Sequence, residues 1–262
     1  MQCYISATIA QDLFTCRSVG LSCARKKSVE KVVFVLRQPS DAATDEWSEQ
    51  LRTTVVDKIR ATGVHGMTVC VHDAAVRAAS LRLVTLDPPF AAAVSVWVQQ
   101  SYGPAIREIE TILAAASANA HGYLVTESVP LPAPEPEPGS RSTGFTNIAL
   151  LRRPADMPFD TWRQQWQGVH THNALELQST IGYEQNLVVR AVTADAPAIS
   201  AVVFEQFPPA ALTDPLAWYG ATDQQQLSQR AMAMLESVKA FGAHTNIDTV
   251  ATSRYDVIRP FS

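Results

Sequence analysis

The stretch Leu36-Arg37-Gln38-Pro39 returns 115 residues later as Leu151-Arg152-Arg153-Pro154. At the same offset and without a gap, three residues after the first stretch recur after the second, namely Asp41 as Asp156, Trp47 as Trp162 and Gln50 as Gln165. Self-similarity at a fixed offset indicates a duplicated supersecondary unit. The sequence therefore predicts two copies of one unit within a single chain.

Each copy has the same predicted order of elements, which is strand, helix, strand, strand, helix, strand. Val29 to Arg37 is rich in β-branched residues and predicts the first strand of the first copy. In the second copy, Phe145 to Arg153 predicts a strand and Asp156 to Ala174 a helix. This order is the ferredoxin-like β-α-β-β-α-β arrangement. We therefore expect an α+β fold in which two ferredoxin-like repeats form an intramolecular dimeric α+β barrel.

Closure into one barrel is favoured by the composition of the strands. A ferredoxin-like half covers only one face of its four-stranded sheet with helices, so the other face needs a partner. Phe90 to Gln99 is apolar along its whole length, which indicates burial on both faces. The alternative is a pair of independent ferredoxin-like domains joined by a linker.

The predicted boundaries follow from composition. Residues 1–28 carry four basic residues and lack a secretory signal, so we expect a disordered or non-core extension, with an organelle transit peptide as the alternative. Residues 29–131 form the first, degenerate repeat. Residues 132–144 form a Pro-rich linker, and residues 145–259 form the second repeat.

Charge and hydropathy exclude several classes of partner. The chain of 262 residues is 47% hydrophobic with a formal net charge of −4, which is typical of a soluble globular protein. This balance gives no electrostatic reason to expect nucleic acid or an anionic membrane as partner. The longest apolar run, Ala91 to Val98, is far below the ~18 residues of a spanning helix. We expect a cytoplasmic protein, with further homo-oligomerisation left open.

The four cysteines, Cys3, Cys16, Cys23 and Cys70, do not have the spacing of a metal site. We interpret them as reduced thiols in a cytosolic protein. A redox pair formed by Cys16 and Cys23 is the alternative. The sequence contains no nucleotide-binding or metal-ligand motif, and we expect no cofactor and no metal.

The helix predicted in the second copy is the most informative segment for function. One face of this helix carries, at helical spacing, Phe159, Trp162, Trp166, His170 and Ala174. Because two of these residues are tryptophans, this face must be buried. His170 is therefore expected to point at the sheet with a near-neutral pKa, as a general acid or base. The alternative is a structural histidine. Val55 takes its place in the first copy, so any site belongs to the second.

Further candidates are polar or aromatic residues in the predicted strands of the second copy. Glu205 lies in a strongly apolar strand and could pair with His170 as an acid–base couple, or lie at an exposed edge. The predicted substrate-binding residues are Trp162, Trp166, Tyr183, Asn186 and Arg152. For Asn186 the alternative is a strand cap, and for Arg152 a solvated position beside Arg153.

Four motifs of the second copy resemble the EthD domain family of the dimeric α+β barrel superfamily. They are Leu151-Arg152-Arg153-Pro154, Phe159-Asp160-Thr161-Trp162, Trp166-x-x-x-His170 and Tyr183-Glu184-Gln185-Asn186. The resemblance extends over about residues 145–192 and implies the barrel fold independently of the repeat. The first copy lacks the histidine and the Tyr-x-Gln-Asn motif.

Two functions follow as expectations. The resemblance implies a small-molecule enzyme that acts on a hydrophobic, aromatic or polyketide-like substrate by oxygenation, dehydration or decarboxylation. Such an enzyme is a cofactor-independent oxidoreductase of the monooxygenase type or a lyase, with His170 moving the proton. The alternative is a non-catalytic protein that binds a hydrophobic ligand or assists a degradation pathway.

Overall fold

The computed structural model describes residues 29–260, in which eight β-strands form one closed barrel. The strands are β1 (Glu30–Arg37), β2 (Gly66–Val71), β3 (Ala92–Val98), β4 (Asn119–Leu131), β5 (Phe145–Leu151), β6 (Gly182–Ala191), β7 (Ala201–Phe207) and β8 (Ile247–Ile258). The predicted extension 1–28 and the cysteines Cys3, Cys16 and Cys23 lie outside the described residues.

Helices follow the first and third strands of each half. Those of the first half are α1 (Thr44–Gln50), a π-helical segment π1 (Leu51–Val55), α2 (Val56–Ala61) and α3 (Pro104–Ala116). Those of the second half are α4 (Phe159–Arg163), a π-helical segment π2 (Gln164–His170), α5 (Thr171–Leu177), α6 (Pro215–Trp218) and α7 (Gln224–Lys239). Short 3₁₀ turns lie at Ala74–Val76 and Pro209–Leu212.

All neighbouring strands pair antiparallel, in the order β1-β3-β2-β8-β5-β7-β6-β4 and back to β1. The first-half strands run β4-β1-β3-β2 and the second-half strands run β8-β5-β7-β6, so the order is the same in both. The halves join where β2 pairs β8 and β6 pairs β4. The predicted α+β barrel is confirmed, and the alternative of two independent domains joined by a linker is excluded.

Alternation along the strands creates two kinds of core. Val33 and Val35 of β1 belong to the interior of the barrel, whereas Val32, Phe34 and Leu36 pack under the first-half helices. Because side chains alternate between the faces of a strand, every strand serves both layers. The first-half layer between helices and sheet is filled by apolar side chains, the largest being Trp47.

A π-helical segment interrupts the first long helix of each half, where the sequence predicts an uninterrupted helix. The two segments occupy corresponding places, because Leu51 and Val55 of π1 lie 115 residues before Trp166 and His170 of π2. Such segments are rare and often occur at functional sites. They leave Trp162, Trp166, His170 and Ala174 all buried.

Phe159, which was expected to point inward, is 46% exposed, so this expectation was wrong. It is the first residue of α4, and a helical side chain leans toward the N-terminus of its helix. Its side chain therefore leans away from the body of the helix, and the guanidinium of Arg163 leans back to within 6.0 Å of the ring centre.

The loop between β2 and β3 belongs to the first half but is bound to the second. Thr85 and Leu86 donate their backbone N–H groups to the carboxylate of Asp248, at 2.6 and 2.8 Å. Leu83 exchanges hydrogen bonds with Thr249 of β8. This loop, which sequence patterns did not describe, therefore closes over the second half.

Within residues 29–260, no helix has the length and apolar character needed to cross a membrane.

Candidate functional site

A cavity of about 240 Å³ lies in the second half, between the outer face of the sheet and the helices. Strands β5, β7 and β6 form its floor, while π2, α6 and α7 form its walls. Leu81 and Leu83 of the loop that crosses from the first half complete it. The lining is mostly apolar, with a few polar side chains that include His170 and Glu205.

Three polar side chains form a row across the floor of the cavity. Asn147 of β5 pairs with Glu205 of β7, and Glu205 pairs with Tyr183 of β6. The amide Nδ2 of Asn147 donates a hydrogen bond to Glu205 Oε2 at 3.3 Å. Because β7 lies between β5 and β6, Glu205 is at the centre of the second-half sheet and faces the helices.

His170 is held by two contacts, one from α7 and one from the segment that follows it. Its Nδ1 lies 2.9 Å from Ser237 Oγ, and its ring centre lies 4.7 Å from that of Phe241. Ser237 Oγ also accepts a hydrogen bond from Asn173 Nδ2 at 3.0 Å. Ser237 Oγ can donate its proton to an unprotonated Nδ1, with the ring proton on Nε2, or accept a second hydrogen bond from a protonated Nδ1.

Burial changes the protonation of both titratable groups. Loss of solvation lowers the pKa of His170 to about 4, below the near-neutral value expected from the sequence. Burial raises the pKa of Glu205 to about 7, and the hydrogen bond from Asn147 only partly opposes this shift. Between these two values both side chains are uncharged. Burial also raises the pKa of the neighbouring Tyr183, with a contribution from the Glu205 carboxylate.

The first half is apolar at every corresponding position. Strand pairing aligns β1, β2 and β3 with β5, β6 and β7, because Leu36 pairs with Ala92 as Leu151 pairs with Ala201. On this alignment the residues that replace Asn147, Tyr183, Glu205, Trp166 and His170 are Val32, Met67, Val96, Leu51 and Val55. All five are buried in the first-half core, so at these five positions the polar side chains occur only in the second half.

The cavity brings together four of the residues that the sequence singled out, which are His170, Glu205, Trp166 and Tyr183. Trp162 is fully buried but does not line the cavity. Its ring packs against Trp166 with 4.9 Å between ring centres, so Trp162 supports the wall from behind.

Asn186 and Arg152 lie elsewhere. Asn186 is buried in the barrel interior, where its Nδ2 donates to Glu184 Oε1 at 3.0 Å and to the Val202 carbonyl at 3.2 Å. Arg152 forms an ion pair of 2.8 Å with Asp248 at one end of the barrel. Neither side chain lines the cavity that contains His170.

Sequence reasoning missed Asn147, Ser237 and the crossing loop. Asn147 interrupts the apolar strand Phe145–Leu151 in the same way as Glu205 interrupts β7, and this signal could have identified it. Ser237 sits on a polar helix and carries no comparable signal. No group of three or more histidine, cysteine, aspartate or glutamate side chains within residues 29–260 is arranged to hold a metal ion.

Comparison with known proteins identifies the fold. No family model and no curated protein matches the sequence. An anthrone oxidase-like protein superposes with a TM-score of 0.53 at 10% identity, over 91% of this chain and 97% of that one. The likeness is one of fold, an α+β barrel of eight antiparallel strands.

Weaker likenesses connect the chain to two other structures. A putative monooxygenase from Lactobacillus acidophilus NCFM has a TM-score of 0.43 at 9% identity, over 87% of this chain and 96% of that one. A chlorite dismutase mutant from Candidatus Nitrospira defluvii has a TM-score of 0.45 at 9% identity, over 87% and 92%. At such identities a structural likeness describes the path of the backbone, and the chemistry of the site must be argued from its own residues.

Proposed function

We propose that the chain is a small-molecule enzyme that transfers a proton to or from a hydrophobic, aromatic or polyketide-like substrate in the cavity beside His170. The observation that carries this proposal is that Glu205, with a pKa of about 7, and a neutral His170 line the same largely apolar cavity. A pair of titratable groups with strongly shifted pKa values is typical of acid–base catalysis.

The pKa values assign the roles. The ionised Glu205 is the stronger base, because its pKa lies above that of His170 and near the operating pH. It takes a proton from a carbon next to a carbonyl, or from a phenol, and becomes neutral. With its ring proton on Nε2, His170 stays uncharged and donates a hydrogen bond to the oxygen on which negative charge develops. Asn147 holds the carboxylate through its hydrogen bond.

The size of the cavity limits the substrate. Its volume of about 240 Å³ is below the roughly 300–1,000 Å³ of sites for drug-sized ligands. Trp166, Met234 and Val238 provide apolar walls. These features favour a compact substrate of one or two rings, with an oxygen directed at His170.

The proposal includes the origin of the fold. The shared strand order and the matching π-helical segments support two ferredoxin-like repeats, at residues 29–131 and 145–259, joined by a linker at 132–144. The second repeat is an EthD-like unit and the first a degenerate copy. The proposal requires no cofactor, no nucleic acid and no membrane, and it assigns the protein to the cytoplasm.

Hydrogen–deuterium exchange tests the proton transfer without knowledge of the natural substrate. The compact ketones 1-indanone and 2-tetralone are incubated with the protein in D₂O, and NMR follows loss of the proton next to the carbonyl. We expect exchange faster than in buffer, with a rate that rises with pH and a midpoint near 7. Glu205→Gln and His170→Val should each lower the rate at least 100-fold. The control His172→Ala, at an exposed position, should leave the rate unchanged.

The second candidate is a non-catalytic protein that binds a hydrophobic ligand. It is favoured by the contact of His170 with Ser237, which a purely structural histidine would also make. Saturable binding of these ketones without any catalysed exchange would support this candidate and contradict the proposed enzyme.

A further inference from the structure

A second cavity, of about 530 Å³, opens at one end of the barrel. Phe204 and Gln206 of β7 line it, and they point to the face opposite to Glu205. It also lies at the end away from Arg152, because Arg254 lies beyond the pair Thr146–Thr252 whereas Arg152 lies beyond the pair Leu151–Ile247. This second cavity, which we call the barrel mouth, is therefore distinct from the cavity that contains His170.

Buried ion pairs lie at the base of the barrel mouth. Lys31 Nζ donates to Glu127 Oε1 at 2.6 Å and to Glu184 Oε1 at 2.5 Å. Arg254 donates to Glu184 Oε2 at 3.2 Å and to Asp256 Oδ1 at 3.0 Å. Burial alone would raise the pKa of Glu184, but the charges of Lys31 and Arg254 outweigh it and lower the pKa to about 2. Both cations are thus already bound to carboxylates.

Carboxylates outnumber cations around this cavity. Four carboxylates line it, those of Glu127, Glu184, Asp256 and Glu135. Three cations face them, namely Arg254 and Arg259 in the lining and Lys31 behind it, so one negative charge is in excess. Glu127 Oε2 and Asp256 Oδ2 accept no hydrogen bond within the described residues. The atoms of the cluster that can still form hydrogen bonds are therefore mainly acceptors.

Two buried polar atoms of residues that line the cavity have no hydrogen-bond partner within residues 29–260. They are Oε1 of Gln206 and Oγ1 of Thr146, on side chains that are 3% and 1% exposed. The amide orientation of Gln206 is fixed, since its Nε2 points to the Thr143 carbonyl at 3.4 Å and a flipped amide would place two oxygens together. An unpaired buried polar atom costs folding free energy, so its presence in a cavity wall points to a ligand.

Aromatic rings form the rest of the wall. Trp97 and Phe204 line the cavity, and the Lys31 ammonium already lies 4.5 Å and 5.8 Å from their ring centres. Aromatic faces attract cations and pack against planar apolar groups. The wall therefore suits a ligand with an apolar body and a cationic head.

We propose that the barrel mouth is a binding site for a small organic amine with an aromatic or alkyl body. The ammonium donates hydrogen bonds to Gln206 Oε1 and to the free oxygens of Glu127 and Asp256, and its charge balances the excess carboxylate. Thr146 Oγ1 pairs with a further polar group of the ligand. The body lies against Trp97 and Phe204.

The entrance is bordered by the segment that joins the two halves. Pro132, Ala133 and Pro134 line one side, and Arg259 with Pro260 lines the other. Arg259 Nη1 forms an ion pair of 3.1 Å with Glu135 across this entrance. The predicted Pro-rich linker thus forms part of a cavity wall.

Calorimetry with three probes of equal size tests the site on the full chain. The probes are phenethylamine, which is protonated at pH 7, 2-phenylethanol and phenylacetate. We expect phenethylamine to bind at least tenfold more tightly than either of the others. Thr146→Val and Gln206→Leu should each weaken its binding at least fivefold. Equal binding of the three probes, or no binding of the amine, would overturn the proposal.

Two controls separate this site from a structural role and from the other cavity. Gln185→Leu removes a buried amide that is fully bonded to Thr171 and Ser128, so it should lower the Tm without weakening amine binding. Gln206→Leu and Thr146→Val should not lower the Tm in the absence of ligand, and a loss as large as that of Gln185→Leu would contradict the proposal. His170→Val should leave amine binding unchanged, and loss of binding there would assign the amine to the other cavity.

Discussion

Val55 and His170 each end a π-helical segment, and each is buried against the sheet of its own half. The backbone is therefore the same at the two positions, while one side chain is an aliphatic group and the other an imidazole. The strand residues beneath them differ in the same sense, with Val96 in the first half and Glu205 in the second. The two halves thus provide a matched pair, one packed and one polar, in a single molecule.

Glu205→Gln should stabilise the protein increasingly as the pH rises. The raised pKa of Glu205 means that its favourable contribution is complete below about pH 4.5 and is lost as the pH rises through about 7. Glutamine does not ionise, so the variant keeps its stability as the pH rises. Its free energy of unfolding relative to that of the natural protein should therefore increase by up to about 3 kcal/mol between pH 4.5 and pH 8. Urea unfolding of both proteins across this range measures it. A constant difference would show that Glu205 ionises normally.

His170→Val, which introduces the residue of the first half, should remove a source of acid sensitivity. The lowered pKa of His170 means that its contribution is complete above about pH 6.5 and is lost as the pH falls through about 4. The free energy of unfolding of the variant relative to the natural protein should therefore improve by about 3 kcal/mol between pH 7 and pH 4. Parallel pH profiles would mean that His170 is solvated. His172→Ala, at an exposed position, is the control.

Lys31→Met should destabilise the protein by about 3–5 kcal/mol, because it leaves Glu127 without its cation and Glu184 with Arg254 alone. The matched control is Lys239→Met. Lys239 also forms an ion pair, of 2.7 Å with Glu236, but at an exposed position, so the expected loss is below about 1 kcal/mol. Denaturant unfolding at constant pH gives both values. Equal losses would show that the barrel interior is hydrated.

The sequence predicted strands most closely where β-branched and apolar residues are frequent, as in β1. The predicted strand Val29 to Arg37 is observed as Glu30–Arg37, and both halves have the same order of strands, as the copy-to-copy offset indicated. The π-helical segments were not predictable, because a change from an α-helical to a π-helical turn leaves no compositional signal in Leu51–Val55 or Gln164–His170.

The candidate site was only partly accessible from sequence. Tyr183 and Asn186 are three residues apart on one strand, so the period of two already assigns them to opposite faces, and the structure has one beside Glu205 and the other inside the barrel. Grouping them by motif overlooked this rule. Leu83 could not be assigned, because a loop without periodicity does not reveal which strand it will contact.

The closure of the barrel by one polypeptide has an evolutionary consequence. A barrel assembled from two identical chains must carry every substitution twice. A buried carboxyl and a buried imidazole would then each lower the free energy of unfolding in both halves. In this chain the valines of one half bear no such cost, and only the other half carries the destabilising pair. Asymmetry thus halves the thermodynamic burden of maintaining a reactive interior.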